Sequence, residues 1–128
     1  MKKLNSKGQS LVEFTIVLPI ILVLILGLLE FGLILNSYIT INTISRNGAR
    51  LASVGASDLE INQELIIDAP NIDFNKVTVT ISPNESDRLR GESVRVDILY
   101  KYNVNIPFIN LIIGSEVDLK SSNSMRIE

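Results

Sequence analysis

A single carboxylate, Glu13, stands at the mouth of a long apolar run, five positions after Gly8. Left unpaired at depth in a bilayer, such a group is costly, so its position asks for a partner. Cleavage after Gly8 would make Gln9 a new N-terminus with a cationic amine, and Glu13 would lie four residues on, one helical turn away. In a bundle of such helices with an axial stagger, the carboxylate of one helix pairs with the amine of the next. Each charge then neutralises the other in an apolar setting. Taken singly, Gly8 marks no more than a helix start, and Glu13 reads as an interfacial acid favoured by the positive end of the helix dipole. Together they point to assembly chemistry.

Other chemistry is poorly supplied. The chain has no histidine and no cysteine. The commonest general base, the commonest transition-metal ligand, disulfides and cysteine-ligated zinc are therefore excluded together. No phosphate-cradling glycine loop and no nucleophile elbow is present, so the expectation is a non-enzyme with no catalytic residue, metal, cofactor or small-molecule substrate. Asn84, Glu85, Asp87 and Glu92 depart from EF-hand spacing, with Arg88 and Arg90 among them. Asn84-Glu85-Ser86 matches the glycosylation sequon, a pattern common by chance. A net charge of −2 and the lack of a lysine-arginine run argue against nucleic acid. Arg46 and Arg50, four apart, share a helix face. They read first as a solvated basic edge and second as a docking stripe for an acidic surface on a neighbouring subunit.

These residues are positioned by a membrane-length helix. From Phe14 to Leu29 only Thr15 and Pro19 interrupt the aliphatic run, and it resumes from Phe31 to Leu35. As helix this is about 22 residues, roughly 33 Å, enough to cross a hydrocarbon core. It is too long for a secretory signal, and no small-x-small cleavage site follows it. Lys2, Lys3 and Lys7 precede it without an acid, whereas Asn36 to Glu128 holds nine bases and twelve acids. That asymmetry keeps the N-terminus cytoplasmic and exports the rest. Pro19 predicts a bend near Thr15. Glu30, about a turn from the outer end, snorkels to the interface or, less favoured, faces a partner helix. Gly27 and Gly32 are five apart, not four, and so do not make the close-packing dimer motif.

Gly8-Gln9-Ser10-Leu11-Val12-Glu13-Phe14 resembles the processing motif of class IVb prepilins, which implies cleavage after Gly8 by a membrane aspartyl peptidase. With Leu18-Pro19, Glu30-Phe31-Gly32 and the stretch Arg46-Asn47-Gly48-Ala49-Arg50-Leu51-Ala52, the chain is similar to TadE-like proteins. These are minor pilin-like (pseudopilin) components of the tight-adherence pilus system. The paired tyrosines of a C-terminal strand, a proline-aromatic turn and the closing Met125-Arg126-Ile127-Glu128 extend the similarity. Phe14 departs from the Glu-Tyr pair of the major pilins, and residues 60–92 carry no family signature.

Beyond the membrane the pattern predicts continued helix, with Ile34, Tyr38, Ile41, Ile44, Gly48, Leu51 and Gly55 as its packing seam. Ser45, Ala49 and Ser53 would let another backbone approach. Ser57-Asp58-Leu59-Glu60 is a capping box opening a short helix that carries Leu59, Leu65 and Ile66 and stops before Pro70. Val77, Val79 and Ile81 alternate as one strand, and Val94 through Val104 as a long second strand in which Leu99 implies cover on the outer face. Pro107-Phe108 through Gly114 is an apolar turn, and a last strand runs from Val117 to near Met125. A three-stranded antiparallel sheet with one apolar face needs a covering layer. The fold class is therefore α+β: a long N-terminal transmembrane helix packed on a small sheet, as in pilins. The organisation is a basic leader at 1–8, a transmembrane and extended helix at 9–56, and an extracytoplasmic domain at 57–128.

The expected function is that of a minor pilin or pseudopilin, held in the cell membrane by one span and drawn into a type IVb pilus. Its partners would be the membrane, a prepilin peptidase, other pilins and the assembly platform. The alternative is an uncleaved membrane-anchored module that recruits pilus or envelope proteins.

Overall fold

The computed structural model describes residues 6–128; Lys2 and Lys3 of the basic leader lie outside the described residues. Helix α1 runs unbroken over Ser6–Ser53, about 72 Å at the standard rise. Among the described residues it is already formed at Ser6, upstream of Gln9. The helix also continues through Pro19. Along this stretch Thr15 donates its hydroxyl to the Leu11 carbonyl at 2.8 Å.

The helix ends at Ser53, earlier than residue 56, for a definable reason. Ala56 N–H bonds the Leu51 carbonyl and Gly55 N–H bonds the Ala52 carbonyl, while Gly55 has φ +92°. This is a Schellman stop, which needs a residue without Cβ in the left-handed position. Gly55 is thus the helix terminator and not part of its seam.

Ser57 caps helix α2, Asp58–Asp68, through a reciprocal capping box: its hydroxyl accepts Glu60 N–H, and the Glu60 carboxylate accepts Ser57 N–H. The buried face of α2 is Ile61 and Leu65. Leu59 and Ile66, also carried by this helix, are exposed, because a helix only three turns long turns one stripe inward.

Strands β1 (Val77–Ser82), β2 (Ser93–Asn103) and β3 (Glu116–Arg126) form one antiparallel sheet in the order β1-β2-β3. Val79 pairs with Ile98, and Tyr100 pairs with Leu119. A four-residue helix, α3 (Asn110–Ile113), sits inside the β2–β3 connection. Val94, Val96, Ile98, Tyr100 and Tyr102 point from β2 into the core. Leu99 is half-buried on the other face.

The layer covering the sheet is the outer half of α1. Ile41, Ile44, Ser45, Gly48, Ala49 and Ala52 are buried there, with Ile34 and Leu51 half-buried and Tyr38 exposed. Ser45 donates its hydroxyl to the Val96 carbonyl at 2.8 Å. The small residues do admit another backbone, and that backbone is the chain's own central strand. The Asn42 side-chain oxygen also accepts from Ser121 at 3.0 Å and from the Asn123 amide at 3.2 Å. These bonds give polar registry to an otherwise apolar contact.

Candidate functional site: an uncovered apolar helix and its buried acid

Near the N-terminal end of α1, Gly8, Gln9, Glu13 and Phe14 are all exposed on one continuous helix. The Gln9 side-chain amide donates to the Glu13 carboxylate at 3.4 Å. The spacing of four therefore places position 9 and the acid on one face, within reach of each other. No side chain or backbone atom beyond its own helix approaches within 4 Å of a Cβ built at Gly8. Among the described residues, nothing beyond α1 itself packs against Gly8.

The apolar segment that follows is equally bare. Leu11, Phe14, Ile16, Ile20, Leu24, Leu28 and Leu29 are exposed, and the span's most apolar window buries none of its residues within the fold. An apolar surface this continuous on a water-soluble domain would far exceed the patches soluble proteins tolerate. Its length and composition are those of a membrane-crossing helix. Gly32 faces open space, and a Cβ at Gly27 would stand 3.7 Å from Ile109 Cδ1, an ordinary contact. Neither glycine is needed to make room.

Glu30 is where the sequence-based expectation fails. It does not snorkel to the interface and it does not await another helix: its side chain is wholly buried beneath the chain's own β2–β3 connection. One carboxylate oxygen, Oε2, accepts the Ile106 N–H at 3.2 Å. The other, Oε1, and the Tyr102 hydroxyl are the two buried side-chain polar atoms without a hydrogen-bond partner among the described residues. Burial first, and the Glu30 carboxylate second, push the Tyr102 phenol up to about 12. Both act in that direction because a second negative charge in a low-dielectric pocket is disfavoured. Tyr100 meets Tyr102 edge-on at 6.3 Å between ring centroids. Glu30 thus fastens a loop 76 residues away in sequence to the far end of the apolar segment of α1.

Arg46 and Arg50 are both exposed on α1, and no ion pair among the described residues engages either one. Arg50 lines a shallow cleft with Val54, Met125, Arg126 and Glu128, where the C-terminal strand returns to the helix end. The arginine that does build structure is Arg88. It pairs with Asp58 and donates to the Ala56 carbonyl at 3.1 Å. Glu85 accepts the Asp58 N–H at 3.2 Å. The charged loop between β1 and β2 is therefore occupied in holding the start of α2. Sequence reasoning missed this pairing, although alternating charges opposite a helix N-terminus were a usable signal.

Residues 8–50 match the model of the family described as TadE-like protein. The matched stretch begins at the glycine before Gln9, takes in the whole apolar segment and ends at Arg50, inside the part of α1 that packs on the sheet. No curated protein and no solved structure matches the chain. Over residues 8–50, which take in the apolar part of α1 ahead of the three-stranded sheet, the chain is similar to the TadE-like family.

Proposed function

We propose that this chain is a minor pilin or pseudopilin: a structural subunit, not an enzyme, that a prepilin peptidase cleaves after Gly8 and that then takes part in assembling a tight-adherence type IVb pilus. The observation that carries the reading is an exposed acid, Glu13, one turn from Gln9 on an apolar helix that the rest of the chain leaves bare. The cytoplasmic half of α1 offers apolar surface on every side, from Leu11 to Leu22, so neighbouring helices can pack there with an axial offset. In such a bundle the Glu13 carboxylate of one subunit meets the Gln9 amine of the next, and each relieves the cost of the other in an apolar medium. The N-terminus stays cytoplasmic by virtue of its lysines, and the sheet domain is extracytoplasmic. The partners are the membrane, the peptidase, other pilins and the inner-membrane assembly platform.

Mass spectrometry of the N-terminus, on protein purified from its host, tests the first step. A mature chain starting at Gln9 is the expected result. Retention of Lys7 and Gly8 would instead identify an uncleaved anchored module that recruits pilus or envelope proteins. The second step is tested by Glu13→Ala, which should leave membrane insertion intact and reduce incorporation into filaments or complexes. Wild-type incorporation by that variant would remove Glu13 from the mechanism.

A further inference from the structure

The β2–β3 connection is built unlike a solvent loop. From Val104 to Gly114 it contains no charged residue. Phe108, Leu111 and Ile112 are 63%, 81% and 69% exposed, and Ile113 is half-exposed. Phe108 also holds a φ of +71°, a left-handed conformation that bulky residues avoid and that persists only where surrounding structure imposes it. The backbone is strained and the ring is turned outward. In water this arrangement has nothing to recommend it.

Its height along α1 supplies the reason. Ile109 packs beside Gly27, and Ile106 N–H is bound by Glu30. A hydrocarbon core of about 30 Å entered at Phe14 is left near Ile34, and Gly27 lies roughly 10 Å short of that exit. The tip of the loop is therefore level with the membrane segment and below the point where the helix emerges. Just above it, Asn36, Ser37, Asn71 and Asn105 ring a cleft with Tyr102, a polar and tyrosine-bearing band of the kind found at headgroup level.

We propose that residues 106–113 form a second membrane insert, which sinks into the acyl layer of the outer leaflet beside the chain's own span and seats the sheet domain directly on the bilayer. The proposal rests on α1 crossing the membrane. Lipid is the occupant that fits the geometry. An apolar groove of about 480 Å³ runs between α1 and the tip, lined by Val23, Gly27, Phe31, Ile109, Ile112 and Ile113 among others. A neighbouring helix laid in that groove would cover Ile112 and Ile113. It would leave Phe108 and Leu111, which do not line the groove, still in water. A fluid acyl layer covers all four and is continuous with the lipid already surrounding α1. Glu30 is a fastener of this insert: it accepts one of its backbone donors, Ile106 N–H, which would otherwise enter hydrocarbon unpaired.

The chain has no cysteine, so single labels can be placed freely. The full chain is reconstituted into phosphatidylethanolamine/phosphatidylglycerol vesicles carrying nitroxide-labelled lipid, with an environment-sensitive fluorophore at Phe108→Cys, Leu111→Cys, Leu24→Cys or Thr80→Cys. Blue-shifted emission and nitroxide quenching are expected at 108, 111 and 24, and neither at the exposed β1 position 80. Quenching at 24 with a water-like, unquenched label at 111 overturns the insert while leaving the span standing. Loss of quenching at 24 as well overturns the span itself. A label at 111 that is shielded without quenching, and that becomes water-exposed when protein is diluted with lipid, identifies a second copy of this chain as the cover and overturns the lipid assignment.

Discussion

Helix α1 packs tightly against the rest of the domain at Gly48, and replacing it by residues of increasing size should read that contact directly. A Cβ placed there would lie 3.3 Å from Leu65 Cδ2 and 3.5 Å from both Ile61 Cγ2 and Val96 Cγ1. All three neighbours are fully buried and have no free volume into which to retreat. For Gly48→Ala two effects oppose each other. The helix gains about 1 kcal/mol from losing a glycine, while the Leu65 methyl must shift by a few tenths of an ångström. The sum should stay within about 1 kcal/mol of zero. Gly48→Val pushes two further methyl groups into the same gap, an overpacking that costs about 1–3 kcal/mol. Valine is a poorer helix former than alanine, so it returns only a few tenths. A net loss of about 1–2 kcal/mol corresponds to a melting temperature lower by roughly 5–15 °C for a domain of this size. The full chain in detergent micelles, followed by the near-ultraviolet dichroism of the Tyr100–Tyr102 pair, reports melting of the helix-on-sheet contact separately from the membrane helix. If the valine variant melted with the wild type, α1 would not press on β2 and α2 as described. If alanine were as damaging as valine, the constraint at Gly48 would lie in the backbone and not in the three facing side chains.

Glu30→Leu removes the acceptor of Ile106 N–H. Because this leaves a part-buried backbone donor unpaired, global melting should fall by about 1–3 kcal/mol and the Ile106 amide should exchange faster; unchanged exchange at Ile106 would refute the fastening role. Ser45→Ala should cost about 1 kcal/mol in the same melting assay, since the loss of the buried bond to the Val96 carbonyl outweighs the better helix propensity of alanine. Stability should also depend on alkali through Tyr102. Its folded-state value, about 12, is raised above the ordinary 10, so the folded state holds the proton more tightly and the stabilisation is complete below pH 10 and lost as pH rises towards 12. Melting followed alongside tyrosinate absorbance checks this, and Tyr102→Phe should flatten the pH dependence in that window.

Much of this molecule was legible in one dimension because the features concerned are local. The length of the apolar run, the capping box at Ser57, the alternation of Val77, Val79 and Ile81, and the four-residue spacing of Gln9 and Glu13 each depend on neighbours within a turn or two of backbone, and the structure carries all of them. The seam of α1 was half legible. Ile41, Ile44 and Gly48 are buried as their spacing implies, but Gly55 proved to be the stop, because a single left-handed glycine outweighs an apolar period. For Glu30 the sequence held no information of the needed kind. Whether that acid meets headgroups, another helix or its own chain is decided by where the β2–β3 connection lands, and the landing is set by how Ser45, Gly48 and Asn42 draw the sheet onto α1 dozens of residues away. A span can be read from composition because lipid responds to the sum of side chains, whereas the partner of one buried charge is settled only by the three-dimensional path that brings a distant backbone N–H to it.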